Sequence, residues 1–490
     1  MEIGELTPAE RRVWQAFPRG EAVDFRRTAG EDPEQGGDWG PERTVRAGVI
    51  RALLLSVAPA EGEVAGLRLM GARISGRLDL WFGAVEHAVR LRACHFEQRP
   101  ILYGAEIRQL NLSESYLPGL DAATIRIGGV LRITDCRVRG SIQLGGAKID
   151  GAFFLDRAHL SDGDLDGNGE RDPVLQLNHA TVGDDVWGPG LVAHGQVRLT
   201  GATVSGTVNL NDARLSDPGG TALGLEIVTI GADLHAMRLR ADGRLNLRGA
   251  RIPGQLNLTY ARLSNPGGMA LRASGCVAGE FWLREAAPIE GTVNLRRSQF
   301  ELLHAAPDVW PGPARLDELT YTALAPHLPA EQRLPLLERD EDGYVPYAYE
   351  QLTAAYRRIG DDAAARTVQL AKQRRHRRTL PWYAKLWGYL QDATVGYGFR
   401  PMRAAAWLLA LQLLGTTAYG LHHPQPLNEA PGFNPVFYTL DLLLPIIDFG
   451  QERAYTPHGW YQWLSYLLIA TGWILATTIA AGVTRAISRQ

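Results

Sequence analysis

Between about Val64 and Phe300 the chain repeats itself every eleven residues. Residues 129–140 read GVLRITDCRVRG, 140–151 GSIQLGGAKIDG, 195–206 GQVRLTGATVSG, 243–254 GRLNLRGARIPG and 254–263 GQLNLTYARL. The shared pattern is Gly-x-apolar-x-apolar-x-x-small-x-apolar-x-Gly. Two apolar residues one apart define a short strand with one face inward, and glycine permits a tight corner. No single beat can bury its own apolar face, so successive beats must stack and cover one another. The expected fold class is a mainly β solenoid (a β-helix), with four faces suggested by an eleven-residue half-coil. Such a fold offers a long surface rather than a pocket.

A longer period overlies the beat. GTVNLNDARLSDPGGTAL starts at Gly206, and GQLNLTYARLSNPGGMAL starts at Gly254. Four beats plus a Pro-Gly-Gly insertion account for the interval and predict loops aligned at equivalent corners. The acidic stretch Asp162, Asp164, Asp166, Asn168, Glu170 falls at the same corner. It imitates the first half of a calcium loop, but Pro173 stands where the bidentate glutamate belongs. A solvated loop and a weak divalent site are the two readings. The three cysteines, Cys94, Cys136 and Cys276, all lie in the repeat. Cys94 and Cys136 take the small-residue slot and are expected to be buried packing atoms in a reducing compartment.

Four segments follow from the pattern. Residues 1–62 contain an apolar helical face at Pro41–Ser56 (Val45, Val49, Ile50, Leu53, Leu54) and should cap the open end of the solenoid. The solenoid occupies 63–303. Residues 304–398 form a helical connector, with two antiparallel helices in 347–372 joined at Gly360-Asp361. Residues 399–490 carry two apolar runs, Ala404–Leu421 and Leu464–Val483, each long enough for a membrane helix. Eight Lys and Arg precede the first run closely, and the intervening loop 422–459 holds only Arg453. The positive-inside rule then puts both termini in the cytoplasm, on a two-span, multi-pass hairpin in the cell membrane.

The landmarks WGPERTVRAGVIRALL (39–54), DGYVPYAYEQLTAAYRRIG (342–360), AKQRRHRRTLPWYAKLWGYLQDATVGYGFRP (371–401) and FYTLDLLLPIIDFGQE (437–452) carry a resemblance. The chain resembles a bacterial, largely actinobacterial, family of two-span membrane proteins with a cytoplasmic, pentapeptide-repeat-like solenoid. Members are often labelled membrane-associated oxidoreductases, so the resemblance implies a redox activity.

The residues themselves direct attention elsewhere. Phe433–Ile447 is apolar, too short to cross a bilayer, and carries Asp441. Pro445 cannot continue a helix because it lacks a donor and clashes one turn back. A short helix, a break and an acidic loop between two spans is similar to the pore segment of two-helix cation channels. In that reading Tyr438, Thr439, Asp441, Pro445, Asp448 and Gly450 line a pore built by a homo-oligomer, with Asp441 and Asp448 attracting cations. The alternative is a segment lying in the outer interface, its carboxylates among headgroups. Thr394–Gly398 spells a potassium filter, but it precedes the first span and reads as a turn into the bilayer. Lys372, Arg374, Arg375, Arg377 and Arg378 form a basic run beside a span and should meet anionic lipid.

The net charge of −2 speaks against nucleic acid as a partner. No nucleotide, zinc-protease or serine-hydrolase motif is found, so no cofactor and no catalytic residue is assigned. The leading expectation is a membrane-tethered scaffold or sensor that binds a protein partner on the solenoid face. The gated pore is the second expectation, and the redox enzyme the third.

Overall fold

The computed structural model describes residues 6–28, 30–164, 171–395, 401–427, 431–444 and 447–487, with backbone alone at 386–387, 390–391, 393–395, 401–402 and 478–487. The chain divides into two units, Met1–Gln351 and Leu352–Gln490.

The first unit is a β-solenoid of about 12 turns. Parallel pairing sets Arg126 on Lys148, Leu131 on Phe153, Arg137 on His159 and Leu120 on Ile142. Each partner lies two eleven-residue beats further along the chain. Two beats therefore make one coil, and these four ladders are the four faces. Toward the C-terminal end short strands fuse around corners, as in Arg251–Asn257 and Arg262–Arg272, which joins the ladders into two 18-stranded sheets. The insertions fall at one corner, as the longer period predicts. Val197 pairs with Leu223 and Leu245 with Leu271, each partner displaced beyond two beats by the length of an inserted loop. Across the acidic stretch Ile142 pairs with Leu175, three beats on instead of two.

Inside the coil, Leu131, Ile133, Val138, Ile142, Leu144 and Ile149 are all buried. Each contributes roughly 1.5–3 kcal/mol of transfer free energy. The small slot is equally dry: Cys94, Cys136 and Cys276 are free, buried thiols. Burial pushes the thiols of Cys94 and Cys276 up to about 12, so both stay protonated and inert. Where serine fills the slot, its hydroxyl donates to a carbonyl one coil earlier, Ser115 to Leu91 at 2.9 Å and Ser298 to Ala273 at 2.5 Å.

Glycine serves the corners in part: Gly140, Gly195 and Gly243, which open three of the beats, adopt φ of 123–130°. The left-handed corner that recurs along the repeat is mostly held by other residues, among them Asp135, Arg157, Asp212 and Arg238 (φ 52–59°). Stacking enforces this conformation, because the Asp135 N–H donates to Asp156 O at 2.8 Å and the Asp212 N–H to Met237 O at 2.9 Å, in the next coil. Other glycines are needed for clearance. A Cβ on Gly183 would lie 2.2 Å from Asp150 O, and one on Gly231 would lie 2.0 Å from Ser205 O.

Both ends are covered, and both ends also extend the rod. Residues expected to be helical include a strand: Thr44–Arg46 pairs with Arg73–Ser75, and helix α2 is confined to Ala47–Ser56. Ala22–Asp24 begins the other sheet. Helix α1 (Pro8–Ala16) opens with a capping box between Thr7 and Glu10. Fully buried Glu10 accepts from Arg46 Nε and Nη2, each at 2.7 Å, which fastens α1 to the first rung. Burial raises the Glu10 pKa, but the Arg46 and backbone hydrogen bonds outweigh it and leave the carboxylate below its ordinary value. At the other end the strands continue past residue 303 to Thr320–Ala325. Helix α3 (Ala330–Glu338) follows. Buried Arg333 donates to Ala305 O and Pro326 O, and Arg339 donates to Trp310 O and Pro311 O. Carbonyls that no further coil can reach are thereby satisfied.

Helix α4 (Pro346–Arg358) straddles the unit boundary, and α5 (Asp362–Thr379) follows the turn at Gly360-Asp361. The second unit continues with α6 (Trp382–Val395), α7 (Pro401–Leu421), α8 (Pro435–Leu443), α9 (Gln451–Ala454) and the long α10 (Trp460–Ile487). Among the described residues one helical stretch is long and apolar enough to cross a membrane, Arg403–Leu421 in α7. The second expected span lies on α10.

The clearance argument is testable by substitution. Gly231→Ala should destabilise the solenoid by about 1–3 kcal/mol, as over-packing does. Gly48→Ala, in open space on α2, should instead stabilise it by up to about 1 kcal/mol. Chemical denaturation of the two variants checks both signs.

Candidate functional site

Helix α8 is short because of its ends. Asn434 caps it, its side chain accepting from Val436 N at 2.9 Å and Phe437 N at 3.3 Å, and Pro435 occupies the first turn. Leu444 closes the helix just before Pro445, which lies outside the described residues together with Ile446. The helix is wedged between the two long ones. A Cβ on Gly415 of α7 would lie 2.4 Å from the Thr439 methyl, and one on Gly472 of α10 would lie 2.3 Å from Leu443 O. Gly415 thus makes room for the Thr439 side chain and Gly472 for the backbone of α8, the kind of close approach small residues permit between helices.

Polar contacts hold the wedge. Gln412 of α7 donates to Val436 O at 2.9 Å, and the Thr439 hydroxyl donates back to Pro435 O at 2.8 Å. Tyr438 is buried, its ring edge-on to Tyr419 at 4.9 Å and near Phe433 at 5.6 Å. At the loop end of the hairpin, Tyr419 OH donates to Tyr461 O, and the rings of His422 and Tyr461 stack at 4.8 Å.

Asp441 does not face a wet path. It is 5 % exposed, and its carboxylate accepts from Phe449 N at 2.5 Å, Gln451 N at 2.7 Å and Glu452 N at 3.2 Å. Both oxygens are occupied by the backbone of the returning loop, so the expected role in attracting cations is replaced by a folding role. A buried carboxylate is tolerated because these N–H groups solvate it. Sequence alone could not reveal this, since the donors are backbone groups on the far side of the break at Pro445. Gln451 was not anticipated either. Its side chain accepts from Asn434 N at 3.1 Å and donates to Gly432 O at 3.3 Å, fastening the two ends of the segment. Asp448 is accessible. Its side chain is 52 % exposed, accepts from Gly450 N at 2.8 Å and pairs with Arg453 at 3.2 Å. Gly450 adopts φ +77°, which lets the chain turn into α9.

The basic run lies on α5, and its members are not equivalent. Arg374 makes two bonds to Asp392 of α6, at 2.9 and 2.8 Å. Arg377 reaches Asp392 at 3.2 Å and Gly388 O at 3.2 Å, and lies 3.9 Å over the Tyr389 ring. Burial raises the Asp392 pKa, but the two arginines prevail and hold it below the ordinary range. These two cations of the run therefore fasten α5 to α6. Arg378 is exposed; Lys372 and Arg375 are half-buried. In the acidic insertion, Asp164 pairs with Arg99 at 2.6 Å, while Asp162 is exposed. Asp166, Asn168 and Glu170 lie outside the described residues, as does the 396–398 part of the filter-like string. Among the described residues no group of three or more His, Cys, Asp or Glu is placed to hold a metal ion.

Asp441→Asn should lower the thermal midpoint of the detergent-solubilised chain, because one charge-assisted acceptor is removed from a buried site, a loss of about 1.5–3 kcal/mol. Asp448→Asn, at an exposed site, should shift it by less than about 0.5 kcal/mol.

No family model, curated protein or solved structure matches this chain, so the chemistry of these residues carries the functional argument.

Proposed function

We propose that this protein is a membrane-anchored β-solenoid whose rigid exterior serves as a scaffold or sensor surface at the cytoplasmic face of the cell membrane. One observation carries the anchor. Outward side chains of α7 and α10 are large, apolar and uncovered: Leu409 is 63 % exposed, Leu413 61 %, Trp463 69 % and Trp473 53 %. Water is a poor solvent for such a belt, and hydrocarbon is a good one. The Lys and Arg asymmetry around the run supports cytoplasmic termini. The resemblance to two-span membrane proteins with a solenoid agrees with this reading.

The test is vesicle flotation. The full chain should rise with vesicles and resist high salt, whereas a Leu409→Glu, Leu413→Glu double variant should remain largely at the bottom of the gradient. Flotation of the double variant at the parent level would remove the anchor from the proposal.

A second reading, an oligomeric pore, is favoured by the wedge of α8 between Gly415 and Gly472. In this reading the exposed Asp448, rather than Asp441, faces the permeating cation. Reconstituted protein should then conduct cations, and Asp448→Asn should reduce the conductance; a monomer in detergent that passes no current would remove it.

A further inference from the structure

Several surface charges of the solenoid pair from one rung to the next. Arg157 meets Asp135 at 2.7 Å and Arg238 meets Asp212 at 2.6 Å, each pair spanning adjacent coils. One column of arginines runs unpaired over three rungs. Arg214 is the register partner of Arg240, and Arg240 of Arg262, on three successive coils of one face. All three are exposed, and none has an ion-pair partner among the described residues. Neighbouring strands are about 4.8 Å apart, so three guanidinium groups rise in line from adjacent rungs. Like charges directly opposite are destabilising.

The same column shows what the chain does when it needs an arginine there for itself. Arg137 leads through His159 and Val192 to Arg214 in register, and it pairs with both Asp32 and Glu34, at 2.6 and 2.8 Å. The three-arginine ladder has no such supply.

We propose that this ladder binds a linear phosphate polymer, and the assignment rests on the reading of the solenoid as a display surface. Guanidinium forks match phosphoryl oxygens in pairs, and a row of them suits a chain of anionic groups running along the rod. The shape of the patch favours a line over a plane. Exposed Asp242 lies on the same strand as Arg240, and Glu285 and Asp212 lie on the neighbouring corner line. A flat anionic bilayer would meet these carboxylates, whereas a single chain stays within the basic strip.

The test uses the full chain in detergent and fluorescein-labelled linear polyphosphate, read by anisotropy. Binding should weaken with salt. An Arg214→Gln, Arg240→Gln, Arg262→Gln triple variant should bind roughly tenfold less tightly, with a salt slope smaller by about 2, as expected for three lost contacts to a single strand. Arg157→Gln should leave affinity unchanged within about twofold, because that charge is already paired. Arg240→Gln alone should raise the thermal midpoint of the unliganded chain by relieving repulsion, and polyphosphate should raise that of the parent. A triple variant that binds like the parent overturns the proposal, as does a lowered midpoint for Arg240→Gln. Equal affinity for polyglutamate or anionic vesicles overturns the assignment to a phosphate polymer. Loss of polyphosphate binding with flotation intact removes only this ligand; loss of flotation with binding intact removes only the anchor.

Discussion

The first unit depends on one constraint, the backbone of each coil lying directly on the backbone of the next at a regular offset of two eleven-residue beats. Parallel hydrogen bonding satisfies the main chain only if every coil keeps the same outline, so the inward side chains must keep their volumes as well. This explains why Ala, Cys and Ser alternate in one slot without disturbing the path, and why the insertions appear at one corner. A corner loop adds length outside the ladder and leaves the stacking untouched.

The same constraint creates two problems, at the first and last rungs, where a sheet edge would remain open. The N-terminal solution is local in sequence but built on an ion pair between buried Glu10 and the more exposed Arg46. The C-terminal solution uses arginines at α3 as donors to stranded carbonyls. Its acidic counterpart continues just beyond, where Asp340 accepts from Leu316 N at 2.9 Å and Glu341 pairs with Arg315. Each cap is specific to this rod, because it must match the outline of a single terminal coil.

The second unit obeys a different rule. Gly415 receives the Thr439 side chain at the α7–α8 contact, and Gly472 lets α10 touch the backbone of α8. Asp441 then ties the return loop to the helix that precedes it. Large apolar side chains such as Leu409, Leu413, Trp463 and Trp473 stay exposed on α7 and α10, while Gln412, Thr439 and Asp441 find their partners inside.

The repeat was legible because its period is written directly in the side chains: alternating apolar residues can bury only one face, and eleven-residue spacing permits only a stack. The four faces, the corner insertions and the buried thiols of Cys94 and Cys136 all follow from that periodicity. Which role glycine takes was not legible, since both a left-handed corner and a close approach select the same residue. Nor was the fate of Asp441, Arg374 and Arg377, whose charges look free in a linear reading. Their partners are backbone donors or a carboxylate on another helix, and only the folded chain brings these within hydrogen-bonding distance. The arginine ladder shares this origin. Arg214, Arg240 and Arg262 do not stand out along the chain, because unequal spacings hide a register that the stacked coils alone create.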